Sequence, residues 1–151
     1  MKIYVASSWR NLIQPLVVET LRAEGHEVYD FRNPSPGNNG FNWKEIDPAW
    51  QDWTPKQYRD ALQHPVAIAG YKADKDALDA CDACVLVLPS GRSASWEFGY
   101  ACGQGKKGVV VMLEKQEPEL MYREALIAVT IGELIDIFMP APTPTESQAT
   151  S

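Results

Sequence analysis

The sequence predicts an α/β fold: one doubly wound domain, flavodoxin- or Rossmann-like, built on a five-stranded and mainly parallel sheet. Three observations predict it. Strand-like and helix-like segments alternate along the chain. The strands are near-continuous apolar runs, "KIYVA", "CVLVL" and "GVVVML", as expected where a parallel sheet is covered on both faces. A length of 151 residues suits one domain with a real core.

Lys2 to Ala6 reads as the first strand. After the loop "SSWRN", Pro15 suits the first turn of a helix that reaches about Glu24 and stops at Gly25. "EVYDF", Glu27 to Phe31, is the second strand. The run "NPSPGNNGFN" from Asn33 consists of turn residues and reads as loop. Residues 43–64 hold Trp43, Trp50 and Trp53 among charges, with Thr54 and Pro55 as the cap and first residue of a short helix. Residues 33–64 are thus a Trp-rich insertion, expected to lie over a site. A helix from about Val66 to Ala83 leads into the third strand, "CVLVL", and another helix follows the turn after it. "GVVVML", Gly108 to Leu113, is the fourth strand. A helix near Leu120 to Leu126, a short strand "AVTI" and a helix from Gly132 to Phe138 complete a domain of residues 1–139. The segment 140–151, "PAPTPTESQATS", is disordered by composition.

Bulk chemistry narrows the partners. A net charge of -6 argues against nucleic acid polymers and anionic membranes. No apolar run approaches the ~20 residues that span a bilayer. "MKIYVASSW" is too short and too polar for a signal peptide. Cys81, Cys84 and Cys102 are odd in number, and the C-x-x-C falls where a helix meets a buried strand, a place that suits free cysteine as a small hydrophobe. The expectation is a reduced, cytoplasmic protein with no metal and no cofactor. His26 and His64 read as structural.

In doubly wound folds ligands collect at the carboxyl ends of the strands, near the switch in strand order. Three segments meet there: "SSWRN", the Trp-rich loop and "PSGRSASWE". Glu97 stands between Trp96 and Phe98 in what reads as the first turn of a helix. A capping box would need Ser or Thr at position 94, where Ala94 stands, so only the helix dipole offers a structural account of this acid. The apolar stripe of that helix is Ala94, Phe98, Ala101 and Cys102, with Glu97 on its flank. Gly99 and Gly103, four apart, would let another backbone approach closely. In "ADKDALDACDA", positions 74, 77, 78 and 81 share a helical face. Asp74 therefore continues the buried face of Ala77, Leu78 and Cys81, while Asp76, Asp79 and Asp82 turn outward. Burial would raise the Asp74 pKa and suit it to donate a proton, although a helix-terminal role explains it equally well. Ser7, Ser8, Arg10 and Asn11 in the first loop, and Ser90, Gly91, Arg92 and Ser93 in the third, offer donors for a phosphate or for sugar hydroxyls.

These residues carry a resemblance. "IYVASS", an Asp on the helix before a buried strand, and a small-residue turn running into "WEFGYACGQGKKGVVV" resemble the nucleoside 2-deoxyribosyltransferase superfamily, which includes 2'-deoxynucleoside 5'-phosphate N-hydrolases. The resemblance covers about Met1 to Leu113. It implies a small-molecule nucleoside or nucleotide substrate, with Glu97 as nucleophile and Asp74 as acid/base. It also implies Trp9 and Trp96 stacking on the base, and a homodimer or higher homo-oligomer. The transferases usually carry a further Asp in the turn before the nucleophile. Here the turn is "PSGRSAS", with Arg92 and no acid, more like the nucleotide hydrolases. Two other readings stand beside it: a phosphoribohydrolase of the cytokinin-activating type, whose "PGGxGTxxE" is loosely matched by "PSGRSASWE", and a nucleotide-sensing module without catalysis.

Overall fold

The structure, a computed structural model, describes residues 1–142 and Pro144. Most of the segment expected to be disordered, 143 and 145–151, lies outside the described residues.

Five strands form one parallel sheet: β1 (Lys2–Ala6), β2 (Glu27–Asp30), β3 (Ala83–Val87), β4 (Lys107–Val111) and β5 (Leu126–Ala128). Their order is β2-β1-β3-β4-β5, with every neighbouring pair parallel. The chain leaves β1 for one side of the sheet and returns on the other, so the switch point lies between β1 and β3. Period-two alternation divides the core between two faces. Ile3 and Val5 pack beneath α1 (Gln14–Ala23) and α5 (Ile131–Phe138), which contribute Val17, Leu21, Leu134 and Phe138. Tyr4, Cys84 and Leu86 pack beneath α3 (Pro65–Ala80) and α4 (Arg92–Gly103), which contribute Leu78, Ala94, Phe98 and Ala101.

Local chemistry fixes the ends of these elements. The Thr54 hydroxyl accepts from the Gln57 N–H while the Gln57 side chain accepts from the Thr54 N–H, a reciprocal capping box that starts α2 (Pro55–Ala61). His64 Nδ1 accepts from the Val66 N–H at 3.1 Å and starts α3 ahead of Pro65. His26 packs edge-on against Phe138, also a structural role.

The last strand departs from expectation. Of "AVTI" only Ala128 belongs to it; the strand starts two residues earlier, and Leu126, Ile127 and Ala128 pair with Val109, Val110 and Val111. Thr130 is held by a stronger local demand: its hydroxyl accepts from the Glu133 N–H at 3.1 Å as the cap of α5, and Glu133 Oε2 accepts from the Val129 N–H at 2.8 Å. The expected helix before this strand is a short 3-10 turn, Leu120–Glu124.

Residues 33–64 form a self-packed aromatic insertion. Phe41 meets Trp43 edge-on at 4.6 Å, Trp43 meets Trp53 at 5.7 Å and Tyr58 at 5.9 Å, and Trp53 Nε1 donates to Asp47 Oδ2 at 2.7 Å. No described helix is long and apolar enough to cross a membrane.

Candidate active site

A cleft of about 320 Å³ opens between α3, α4 and the insertion, with Tyr4 of β1 at its floor. Asp74 enters it from α3 and Glu97 from α4, while Phe41, Trp43, Tyr58, Tyr71 and Trp96 form its aromatic walls. The two acids singled out by sequence thus come from separate helices to one cavity.

Neither acid has a structural excuse at a helix end. Glu97 was expected in a first turn, but α4 begins at Arg92 behind the cap residue Gly91, so Glu97 falls in the second turn. Dipole stabilisation fades within the first turn, so it does not account for this acid. Asp74 lies well inside α3, far from the cap His64, which removes the helix-terminal account as well. Asp76 and Asp79, by contrast, pair outward with Lys72 and Lys75, and Asp82 accepts from the Lys2 N–H at 2.8 Å.

Two tyrosines underlie the acids. Tyr4 and Tyr29 are register partners on β1 and β2, so they share a face, and their rings stack at 5.2 Å and 18°. The Tyr29 hydroxyl donates to Asp74 Oδ1 at 2.7 Å. The Tyr4 hydroxyl is fully buried, near both carboxylates, and forms no hydrogen bond. Glu97 lies close enough for that hydroxyl to favour its ionised form, yet the contact falls short of bonding geometry. Burial and the neighbouring carboxylates push both tyrosine pKa values upward, so each hydroxyl keeps its proton and acts as a donor.

Burial also governs the acids. It pushes Glu97 up from 4.5 to about 7, helped by the charge on Asp74 and opposed by Tyr4. Burial raises Asp74 as well, opposed by the Tyr29 hydrogen bond. With Glu97 at about 7, a large share of the molecules carry a proton on this acid near neutrality, and burial favours the neutral form of Asp74 as well. This is the chemistry of general acid and base catalysis.

A stability effect follows. A carboxyl with a folded-state pKa above its unfolded value adds stability below the unfolded value, and that stability is lost as pH rises through the folded value. For Glu97 the loss runs from pH 4.5 to about 7. Glu97→Gln removes the titration, so its melting temperature should exceed that of the wild type by a margin that grows between pH 5 and pH 8. The gain should be roughly 1–3 kcal/mol at most, at about 2–4 °C per kcal/mol. A margin that is flat across this range in thermal melts would contradict the burial argument.

The other expected site residues divide. Ser93 and Trp96 line the cleft; Ser7, Ser8, Trp9, Arg10, Ser90, Gly91 and Arg92 do not. Ser7 Oγ donates to the Val87 carbonyl at 2.9 Å, and Ser8 Oγ accepts from the Arg10 N–H at 3.1 Å. The start of α1 is occupied by Asn11, whose Oδ1 accepts from the Ile13 and Gln14 N–H groups at 2.9 Å. The first loop turns its carbonyls inward: Arg32 Nη2 donates to those of Ser8, Trp9 and Asn11 at 2.8–3.0 Å. Trp9 packs edge-on against Phe31 at 5.2 Å and closes over Gly40. Gly40 has φ +83°, and a Cβ there would lie 2.5 Å from the Phe31 carbonyl, so this loop seat requires glycine. The first loop therefore braces the insertion.

Trp96 stands on the rim, 57% exposed, and is fixed from behind. It stacks on Tyr100 at 5.3 Å and 10°; Lys75 Nζ donates to the Tyr100 hydroxyl at 2.8 Å and to Asp79 Oδ2 at 2.7 Å, and that hydroxyl donates to Asp79 Oδ1. Gly99 and Gly103 have nothing within 4 Å of a would-be Cβ, so packing within one chain does not require them. The three cysteines are free, with Cys81 and Cys84 buried, and among the described residues no cluster of three or more His, Cys, Asp or Glu could hold a metal.

No family model matches the chain, and no curated protein matches it in sequence. Solved structures do match it in fold. A 2-deoxyribosyltransferase from the psychrotolerant bacterium Bacillus psychrosaccharolyticus superposes with a TM-score of 0.61 at 18% identity, over 90% of this chain and 91% of that one. The CMP N-glycosidase BcmB of Clostridium botulinum matches with a TM-score of 0.49 at 18% identity, over 91% of this chain and 97% of that one. The doubly wound α/β architecture is thus shared with a 2-deoxyribosyltransferase over nearly the whole chain.

Proposed function

We propose that this protein is an N-glycosidase or deoxyribosyltransferase of the nucleoside 2-deoxyribosyltransferase superfamily, acting on nucleosides or nucleoside 5'-monophosphates, with Glu97 as nucleophile and Asp74 as acid/base. The observation that carries the reading is the pair itself. Two half-buried carboxylates from different helices face one aromatic-walled cleft, above tyrosine hydroxyls that keep their protons and can donate. The fold shared with a 2-deoxyribosyltransferase supports it.

The chemistry follows from the charges. Cleaving an N-glycosidic bond develops positive charge on the sugar and negative charge on the departing base. An ionised Glu97 captures the anomeric carbon as a glycosyl ester, and a protonated Asp74 delivers its proton to the base. Water or a second base then gives its proton to Asp74 as it attacks the anomeric carbon, which frees the Glu97 carboxylate and restores the acid. In the empty site burial favours the neutral form of Glu97. A cationic sugar beside it would reverse that preference and draw the negative charge to Glu97, while burial keeps the proton on Asp74 favourable. Donation from the buried, unpaired Tyr4 hydroxyl would hold the carboxylate once it ionises.

One contact favours a second reading, a nucleotide-binding module without catalysis: the Tyr29 hydrogen bond holds Asp74 toward its ionised form, which suits recognition of a base edge better than proton donation. Incubation with a mixed pool of nucleosides and nucleotides separates the two. The enzyme releases free base, and released base exchanges in the presence of an acceptor base if transfer operates. A binder is stabilised by the pool and consumes nothing.

The phosphate is the finer question. Arg92 is the exposed first residue of α4, the cap Gly91 contributes no side chain, and the next residue, Ser93, lines the cleft. A 5'-phosphate at that edge would meet a guanidinium, a hydroxyl and the unpaired N–H groups of a helix start. Monophosphates should then exceed nucleosides in kcat/KM by about tenfold to a hundredfold, and Arg92→Ala should erase most of the difference. Equal kcat/KM for a nucleoside and its 5'-monophosphate would remove the phosphate pocket and favour the transferase branch.

A further inference from the structure

A second cavity, about 220 Å³, lies behind the first, between α3 and the start of the insertion. Three residues line both: Phe41, Gly70 and Asp74. Glu97 lines only the first. Of the shared residues Gly70 has no side chain and Asp74 is one of the two acids, so the bulk that separates the cavities is the ring of Phe41. That ring lies flush on α3. A Cβ at Gly70 would sit 3.0 Å from Phe41 Cβ and 3.1 Å from the ring, and a glycine inside a helix costs about 1 kcal/mol relative to alanine. Trp43 backs the ring edge-on at 4.6 Å.

We propose that Phe41, seated on Gly70, sets which leaving bases the site accepts, and that the cavity behind it would house a substituent on the base edge that faces Asp74. This rests on the reading of Asp74 as the group that meets the base. The sugar belongs beside Glu97, and the base then extends toward Asp74, where the first cavity ends at Phe41. In a purine the exocyclic N6 lies on the same edge as N7, a ring nitrogen that can take the proton on departure. A base protonated there points its N6 group past Asp74. A small amino group fits in front of Phe41, whereas a group the size of a phenyl ring requires the space behind it.

The test compares adenine with N6-benzyladenine, first as free bases in calorimetry and then as the leaving groups of their deoxyribonucleosides. Wild-type protein should favour adenine. Phe41→Ala should shift the ratio of affinities, and of kcat/KM, toward the benzyl compound by at least about tenfold, the scale set by a few buried methylenes in an apolar pocket. Phe41→Leu, which keeps apolar bulk, should shift it less and guards against unfolding of the alanine variant. Binding ratios unchanged in a folded Phe41 variant would overturn the proposal. If neither nucleoside releases base but the binding ratios shift as expected, the N-glycosidase reading fails and the gating role of Phe41 stands.

Discussion

Glu97→Gln is expected to abolish release of free base, by roughly three to six orders of magnitude in kcat, while the variant folds and binds substrate. The magnitude follows from the role. A nucleophile forms the only covalent bond to the sugar, and an amide of the same shape neither attacks the anomeric carbon nor balances its charge. The fold should survive because Glu97 lies off the buried stripe of Ala94, Phe98 and Ala101 that holds α4 to the sheet. Thermal melts alongside chromatography of product base check both halves. In the wild type kcat/KM should rise with pH as Glu97 ionises, with a limb near 7 in the free enzyme. Wild-type turnover by the Gln variant would end the assignment.

Asp74→Asn carries the second largest expected effect, a loss of about a hundredfold to ten-thousandfold, the usual worth of a positioned general acid. The loss should shrink for bases that leave readily without a proton, because only a poor leaving group needs one. Kinetics over a series of leaving bases tests this, and an equal loss across the series would reduce Asp74 to a packing or binding residue. A reversal is also informative. If Asp74→Asn is dead with every base while Glu97→Gln recovers with good leaving groups, the two acids have exchanged roles, as the neutral preference of Glu97 in the empty cleft would allow.

Both acids were legible in the sequence because each breaks a local rule. Asp74 continues an apolar helical face, and Glu97 flanks one without the partner a capping box would need. The tyrosines beneath them were not legible. Tyr4 sits in "KIYVA" and Tyr29 in "EVYDF", where an aromatic reads as ordinary strand core. Only the parallel register of β1 on β2 stacks the rings and brings both hydroxyls to the acids. The first loop was legible only in part: Asn11 occupies the helix start, and Arg32, one residue beyond the second strand as read, gathers the loop carbonyls. Loop polar groups satisfy their own backbone first, and sequence does not show which are left over. The insertion was legible as aromatic and placed near the site. That Phe41 would divide two cavities depended on its contact with Gly70, 29 positions later in the chain, which no local pattern encodes.

The most direct test of the central claim is to trap the sugar on the protein. A nucleoside bearing fluorine at C2 of an arabinose slows both formation and breakdown of the glycosyl ester, because fluorine opposes the developing positive charge. After incubation, peptide mass spectrometry should find one fluorosugar on the peptide that contains Glu97, and none on Glu97→Gln. Free base released from this compound, with no sugar retained at Glu97, would contradict the account.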